Sequence, residues 1–120
     1  MILDAIVASR RARVREPIVR RPRGAARSLA AALVSAGPVP RVIAEHKRRS
    51  PSAGPIGPGP RTITAVVRGY EAHGASALSI LTNAEYFGAA PDDLWNARTA
   101  TSLPVLRKEF LLDEQDVHES

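Results

Sequence analysis

Three short runs that read as strands, at 42–47, 75–82 and 104–110, alternate with segments of helical period. Between the first two runs, Ile63, Val66, Val67 and Tyr70 fall at i, i+3, i+4 and i+7, one face of a helix, with Thr62 placed to cap it and Gly74 to stop it. Between the second and third, residues 91–100 fit a helix with Pro91 near its first turn and Leu94 facing inward, and a further helix begins at Glu114. Residues 48–61, rich in Pro and Gly, and 83–90 read as loops. This alternation is a repeated βα unit. Right-handed crossovers between such strands give a parallel sheet with helices on its face, so the class is α/β. Three strands can open a doubly wound sheet or a closed (β/α)8 barrel. Neither G-x-G-x-x-G nor G-x-x-x-x-G-K-[ST] occurs to support a nucleotide-binding version.

Upstream, Ile2, Leu3, Ile6 and Val7 recur at helical spacing and predict an amphipathic helix. Pro17 and Pro22 interrupt it, leaving 16–24 as a loop, and 28–35 reads as a second short helix with Leu29 and Leu33 one turn apart, ended by Gly37, Pro38 and Pro40. Residues 1–24 hold seven arginines against two acids, an excess equal to the formal charge of +5 of the whole chain. The remainder balances. A basic segment of this kind can meet nucleic acid or an anionic membrane, but it reads more simply as a solvated helix followed by an Arg/Pro loop. With 4% aromatic residues, a stacking surface for single strands is not expected, so nucleic acid is not an expected partner. No apolar run reaches the roughly 20 residues of a bilayer span, and no targeting peptide is read at the start, so a cytoplasmic location is expected. The lack of cysteine excludes disulfides, thiol catalysis and Cys-ligated metals.

The informative residues are polar groups inside runs that otherwise read as core. Strand alternation puts Ile43, Glu45 and Lys47 on one face and Val42, Ala44 and His46 on the other; in the third run Leu106, Lys108 and Phe110 share a face. Lysines thus end the first and third strands, and Ser79 takes an equivalent polar place in the second. In a (β/α)8 barrel these groups converge at the C-terminal mouth, where two ammonium groups suit an anionic substrate and one can donate a proton. The pattern fits equally a structural Glu45–Lys47 ion pair with Lys108 snorkelling from a strand end.

Residues Val42-Ile43-Ala44-Glu45-His46-Lys47 followed by Ser50-Pro51-Ser52 resemble the first-strand signature of indole-3-glycerol-phosphate synthases. Leu78-Ser79-Ile80-Leu81-Thr82, Glu85-Tyr86-Phe87-Gly88 and Leu103-Pro104-Val105-Leu106-Arg107-Lys108-Glu109-Phe110 resemble the same family, in order and at suitable spacing, as does the opening Ile2-Leu3-Asp4-Ala5-Ile6-Val7. The resemblance implies an incomplete (β/α)8 barrel: an N-terminal helical extension over 1–40, then the first three βα units over 41–120. A full barrel takes about 250 residues.

It also implies a carboxy-lyase of tryptophan biosynthesis. Such enzymes close the indole ring of 1-(2-carboxyphenylamino)-1-deoxyribulose 5-phosphate, with loss of carbon dioxide and water and without metal or cofactor. On the family's pattern Lys108 resembles the general acid, Lys47 the lysine that holds anionic parts of the substrate, and Glu45 the carboxylate that orients both. Ser50 and Pro51 resemble substrate-loop residues, Phe87 and Phe110 apolar walls of the anthranilate pocket, and Ser79 a packing residue. His46 stands where the family has an apolar or aromatic residue and is expected to pack against the helices. The family's general base and phosphate site belong to later strands, so the 120-residue chain alone is expected to be inactive. Its expected partners are the phosphorylated substrate and either a chain supplying the remaining strands or a second copy. The competing reading is a non-catalytic interaction module.

Overall fold

The computed structural model describes residues 1–18, 20, 24–34, 38–57, 59 and 61–120. Readings that fall on Arg21, Pro22, Arg23, Ser35, Gly37, Pro58 and Pro60 lie outside the described residues. In chain order the elements are α1 (Ile2–Ala12), α2 (Leu29–Leu33), β1 (Ile43–His46), β2 (Arg49–Ser50), β3 (Gly54–Pro55), α3 (Ile63–Ala72), β4 (Ala77–Leu81), α4 (Ala84–Phe87), α5 (Asp93–Ala100), β5 (Val105–Lys108) and α6 (Glu114–Glu119). They form two compact units, one from residues 27–108 and one from 1–26 with 109–120.

The unit of residues 27–108 is a three-stranded parallel sheet in the order β1-β4-β5. The central strand is buried along its whole length, as a run that is apolar but for Ser79 anticipates. On one face, Leu78 and Ile80 of β4 form a core with Ile63 and Val67 of α3 and Ala97 of α5, joined by Ala44, Tyr70, Leu94 and Val105. The helix starts are set locally. Thr62 Oγ1 accepts the Ala65 N–H at 3.2 Å to open α3, and Asn83 Oδ1 accepts the Tyr86 N–H at 2.9 Å to open α4. Gly74, at φ +88°, makes the left-handed turn that ends α3.

Two segments differ from the loop reading. The 48–61 segment begins with an antiparallel hairpin pairing Arg49 with Pro55 and Ser50 with Gly54. The Ile56 N–H donates to the Arg48 carbonyl at 2.8 Å and closes its base. Residues 84–87 form the one-turn α4, too short for a periodicity signal.

In the other unit Arg10, Arg13 and Arg15 are not a solvated face, although Arg11 and Arg20 are exposed. Arg10 of α1 is 8% exposed and Asp116 of α6 is 1% exposed. Arg10 Nη2 lies 2.9 Å and Arg13 Nη2 2.6 Å from Asp116 Oδ1, while Asp116 Oδ2 accepts the Leu112 N–H at 2.7 Å. Arg10 also faces Glu109, Arg13 reaches Glu119, and Arg15 reaches Asp113 and Glu119. Burial pushes the Asp116 carboxyl up, but the Leu112 and Arg13 hydrogen bonds and the charges of Arg10 and Arg13 outweigh it and hold the group below the usual carboxylate range. Three of the seven arginines near the start are thus matched by acids about a hundred positions later, a pairing that local reading of charge cannot find.

Candidate active site

Parallel register decides which side chains meet. Glu45 of β1 lies opposite Ser79 of β4, which lies opposite Leu106 of β5; two residues further, on the same face, Leu81 lies opposite Lys108. Registered partners in a parallel sheet project to the same face, so Glu45, Ser79 and Lys108 share the face opposite the helix-covered core. β1 and β5 are two strand spacings apart, about 10 Å, within reach of a lysine and a glutamate stem extended toward each other.

The side chains meet on the Glu45 carboxylate. Lys108 Nζ donates to Oε2 at 2.8 Å, Ser79 Oγ donates to the same oxygen at 3.1 Å, and Lys47 Nζ donates to Oε1 at 3.5 Å. The Lys108 hydrogen bond is the largest influence on Glu45 and lowers its pKa; burial opposes it, and the Ser79 bond and the Lys108 charge add to the lowering. Glu45 is therefore an anion at neutral pH, standing between two cations that would otherwise repel. Tyr70 of α3 fixes the strand beneath it, donating its hydroxyl to the Glu45 carbonyl at 3.2 Å. Lys47 and Lys108 remain 37% and 55% exposed at their side chains, open to an incoming anion.

His46 projects the other way. Its Nε2 is buried without a hydrogen-bond partner, and burial, then the Arg48 charge, lower its pKa against the opposing pull of Asp93. Arg48, at the base of the hairpin, forms a two-pronged ion pair with Asp93 at the start of α5. A groove of about 700 Å³ runs along β1 beside α3, lined by His46, Arg48, Ile56 and Tyr70 among others. Glu45 and Lys47 edge this groove and Lys108 does not.

The remaining sequence-derived candidates are distributed as follows. Ser50 lies in β2, where its Oγ accepts the Ala53 N–H at 3.1 Å and caps the hairpin turn, and Pro51 is exposed in that turn. Phe87 ends α4, and its carbonyl accepts the Arg48 N–H at 3.3 Å. Phe110 belongs to the unit of residues 1–26 and 109–120, where its carbonyl accepts Arg10 Nε at 3.2 Å. Ser79, expected to pack, is 3% exposed and also hydrogen-bonds the central carboxylate; a serine in an otherwise apolar strand was the available signal. Tyr70, read as one position of a helix face, and Arg48 and Arg49, two arginines directly after Lys47, were not singled out by pattern.

The model of the family described as indole-3-glycerol phosphate synthase matches residues 3–120. The chain belongs to this family. An indole-3-glycerol phosphate synthase of Micrococcus luteus is 40% identical over 124 aligned positions, covering 89% of this chain and 46% of that protein. The indole-3-glycerol phosphate synthase of Neisseria meningitidis serogroup B is 49% identical over 82 positions, 68% of this chain and 31% of that protein. That of Laribacter hongkongensis is 51% identical over 79 positions, 66% of this chain and 30% of that protein. The chain spans between about a third and a half of the length of these curated relatives.

Proposed function

We propose that this chain carries the proton-donating part of an indole-3-glycerol phosphate synthase site, acting on 1-(2-carboxyphenylamino)-1-deoxyribulose 5-phosphate. The observation that carries this reading is the convergence of Lys47 and Lys108, from the first and third strands of the sheet, on Glu45. Lys108 would protonate the substrate carbonyl oxygen as the anthranilate ring carbon attacks, and Lys47 would hold the anionic groups and the charge that develops there. Glu45 holds both lysine Nζ atoms in place before substrate arrives, so their orientation is not left to the reaction step. Ser50 and Pro51 would approach the substrate from the hairpin, and Phe87 would meet the anthranilate ring. The architecture we infer is the first three βα units of a (β/α)8 barrel after an N-terminal extension, in a cytoplasmic enzyme.

The 120-residue polypeptide by itself binds this substrate without turning it over. Titration of isotope-labelled protein with the substrate tests both halves. Shifts centred on Glu45, Lys47 and Lys108, weakened by Lys47→Ala and Lys108→Ala, support the site. Absence of binding overturns it, and steady-state release of indole-3-glycerol phosphate at low protein concentration overturns the inactivity.

A second reading has its own observation. β1 and β5 each have one edge without a partner among the described strands, and Ile43 and Leu106, each 42% exposed, stand on the face that carries Glu45. A chain that supplies further strands, or a second copy, would cover them. Light scattering after size-exclusion chromatography tests self-association. A non-catalytic docking role predicts that Lys47→Ala and Lys108→Ala leave association intact.

A further inference from the structure

The turn of helix that ends at Phe87 is held from outside by an arginine. α4 has four residues, so its carbonyls lack most of the intrahelical donors a longer helix supplies. The Ala84 carbonyl accepts the Gly88 N–H at 3.0 Å, and Arg49 of β2 supplies the Glu85 carbonyl and a second donor to Ala84. Arg49 Nη2 donates to the Ala84 carbonyl at 3.3 Å and also to the Glu85 carbonyl. A cation at this end also complements the partial negative charge of the terminal carbonyls. The chain then leaves the helix through Gly88 at φ +71°, where a Cβ would lie 3.3 Å from Arg49 Cγ and 3.4 Å from Arg48 Cβ. The arginine stems are thus packed directly on the turn. From the same short segment, the Arg48 N–H donates to the Phe87 carbonyl at 3.3 Å and Arg48 Nη1 to the Gly88 carbonyl at 3.2 Å. The residue after Arg49 is Ser50, so one stretch of backbone joins the hairpin to the helix end.

We propose that Arg49 is a positioning residue: by gripping the Ala84 and Glu85 carbonyls it sets α4, and with it Phe87, against the strand that carries Ser50. This rests on the reading above, in which Phe87 meets the anthranilate ring and Ser50 lies over the substrate. Arg49 touches no reacting atom. Its effect is on how well an aromatic carboxylate is seated and not on proton transfer.

The test uses the full 120-residue chain with anthranilate as the probe, comparing wild type with Arg49→Met and Arg49→Lys. Two quantities are read: amide hydrogen exchange at Phe87 and Gly88, with Leu78 and Ile80 as the reference, and the dissociation constant for anthranilate. Arg49→Met is expected to speed exchange at Phe87 and Gly88 by at least about tenfold, the scale of a lost charge-assisted hydrogen bond, with Leu78 and Ile80 unchanged. It is expected to weaken anthranilate at least about fivefold, with Arg49→Lys between it and wild type, because a lysine retains one donor to the same carbonyls. Unchanged exchange at Phe87 and Gly88 overturns the proposal. So does faster exchange shared equally by Leu78 and Ile80, or anthranilate binding that neither variant alters. If wild type does not bind anthranilate, the substrate reading itself fails, an outcome distinct from binding that survives loss of Arg49.

Discussion

Replacing Asp116 with alanine should open the pairing of α1 with α6, and the size of the effect follows from what the carboxylate holds. Asp116 is buried, accepts from Arg10, Arg13 and the Leu112 N–H, and is the nearest acid to Arg10, whose other acidic neighbour, Glu109, is 3.7 Å away. Its removal leaves Arg10, itself 8% exposed, facing one distant carboxylate, and leaves the Leu112 amide without its acceptor. Breaking a buried ion pair from one side costs about 3–5 kcal/mol. Arg13 retains its existing pair with Glu119 at 2.8 Å, so the loss falls mainly on Arg10 and about 3 kcal/mol is expected. That is a factor of roughly 150 in the opening equilibrium of this unit. Amide exchange in Ile2–Ala12 and Glu114–Glu119 measures it directly. Asp116→Asn keeps an oxygen for the Leu112 N–H and should lose about half as much. The single tryptophan, Trp95, lies in α5 of the other unit, so its fluorescence during urea unfolding reports separately on the sheet. An Asp116→Ala exchange profile within a factor of about five of wild type, or below about 1 kcal/mol, would refute the reasoning.

Three further outcomes are expected. His46 is held below its ordinary pKa by burial and by Arg48, so the native state takes up its proton later than the unfolded chain does. Stability should therefore fall as pH drops from about 6.5 through the lowered value, and His46→Phe should remove that part of the slope in urea midpoints measured against pH. Gly88→Ala should cost about 1–3 kcal/mol in thermal unfolding, since alanine at φ +71° is strained and its methyl meets the Arg49 stem. Thr62→Ala removes the acceptor for the Ala65 N–H and should cost about 1 kcal/mol, whereas Thr62→Ser should be nearly neutral.

The elements with strong periodicity were legible in the sequence. The Ile63–Val67–Tyr70 face, its Thr62 cap and the Gly74 stop all occur as the spacing predicts, because each is decided by neighbours within one or two turns. The alternation of Glu45 and His46 to opposite faces was legible for the same reason. The hairpin at 49–55 and the single turn at 84–87 were not. Each has only a few local hydrogen bonds, too short a pattern to register as periodicity, and the two are tied together across some thirty-five residues, from Arg48 and Arg49 to the carbonyls of residues 84–88. Ser79 was visible as an anomaly, but its donation to Glu45 depends on parallel register, which is a property of the pair of strands and not of either one. The acids that neutralise Arg10, Arg13 and Arg15 lie beyond any sequence window for the same physical reason.

That long separation has a consequence for how the polypeptide acquires its form during synthesis. An eleven-residue helix has little stability alone, and α1 emerges from the ribosome about a hundred residues before Asp116, Asp113 and Glu119 exist to receive its guanidinium groups. Closing so wide a loop is entropically costly and slow compared with assembling the sheet, whose strands are brought together by crossovers of about thirty residues. The opening segment should therefore be the last part of the molecule to settle, and during translation it is the part most open to chaperones and proteases.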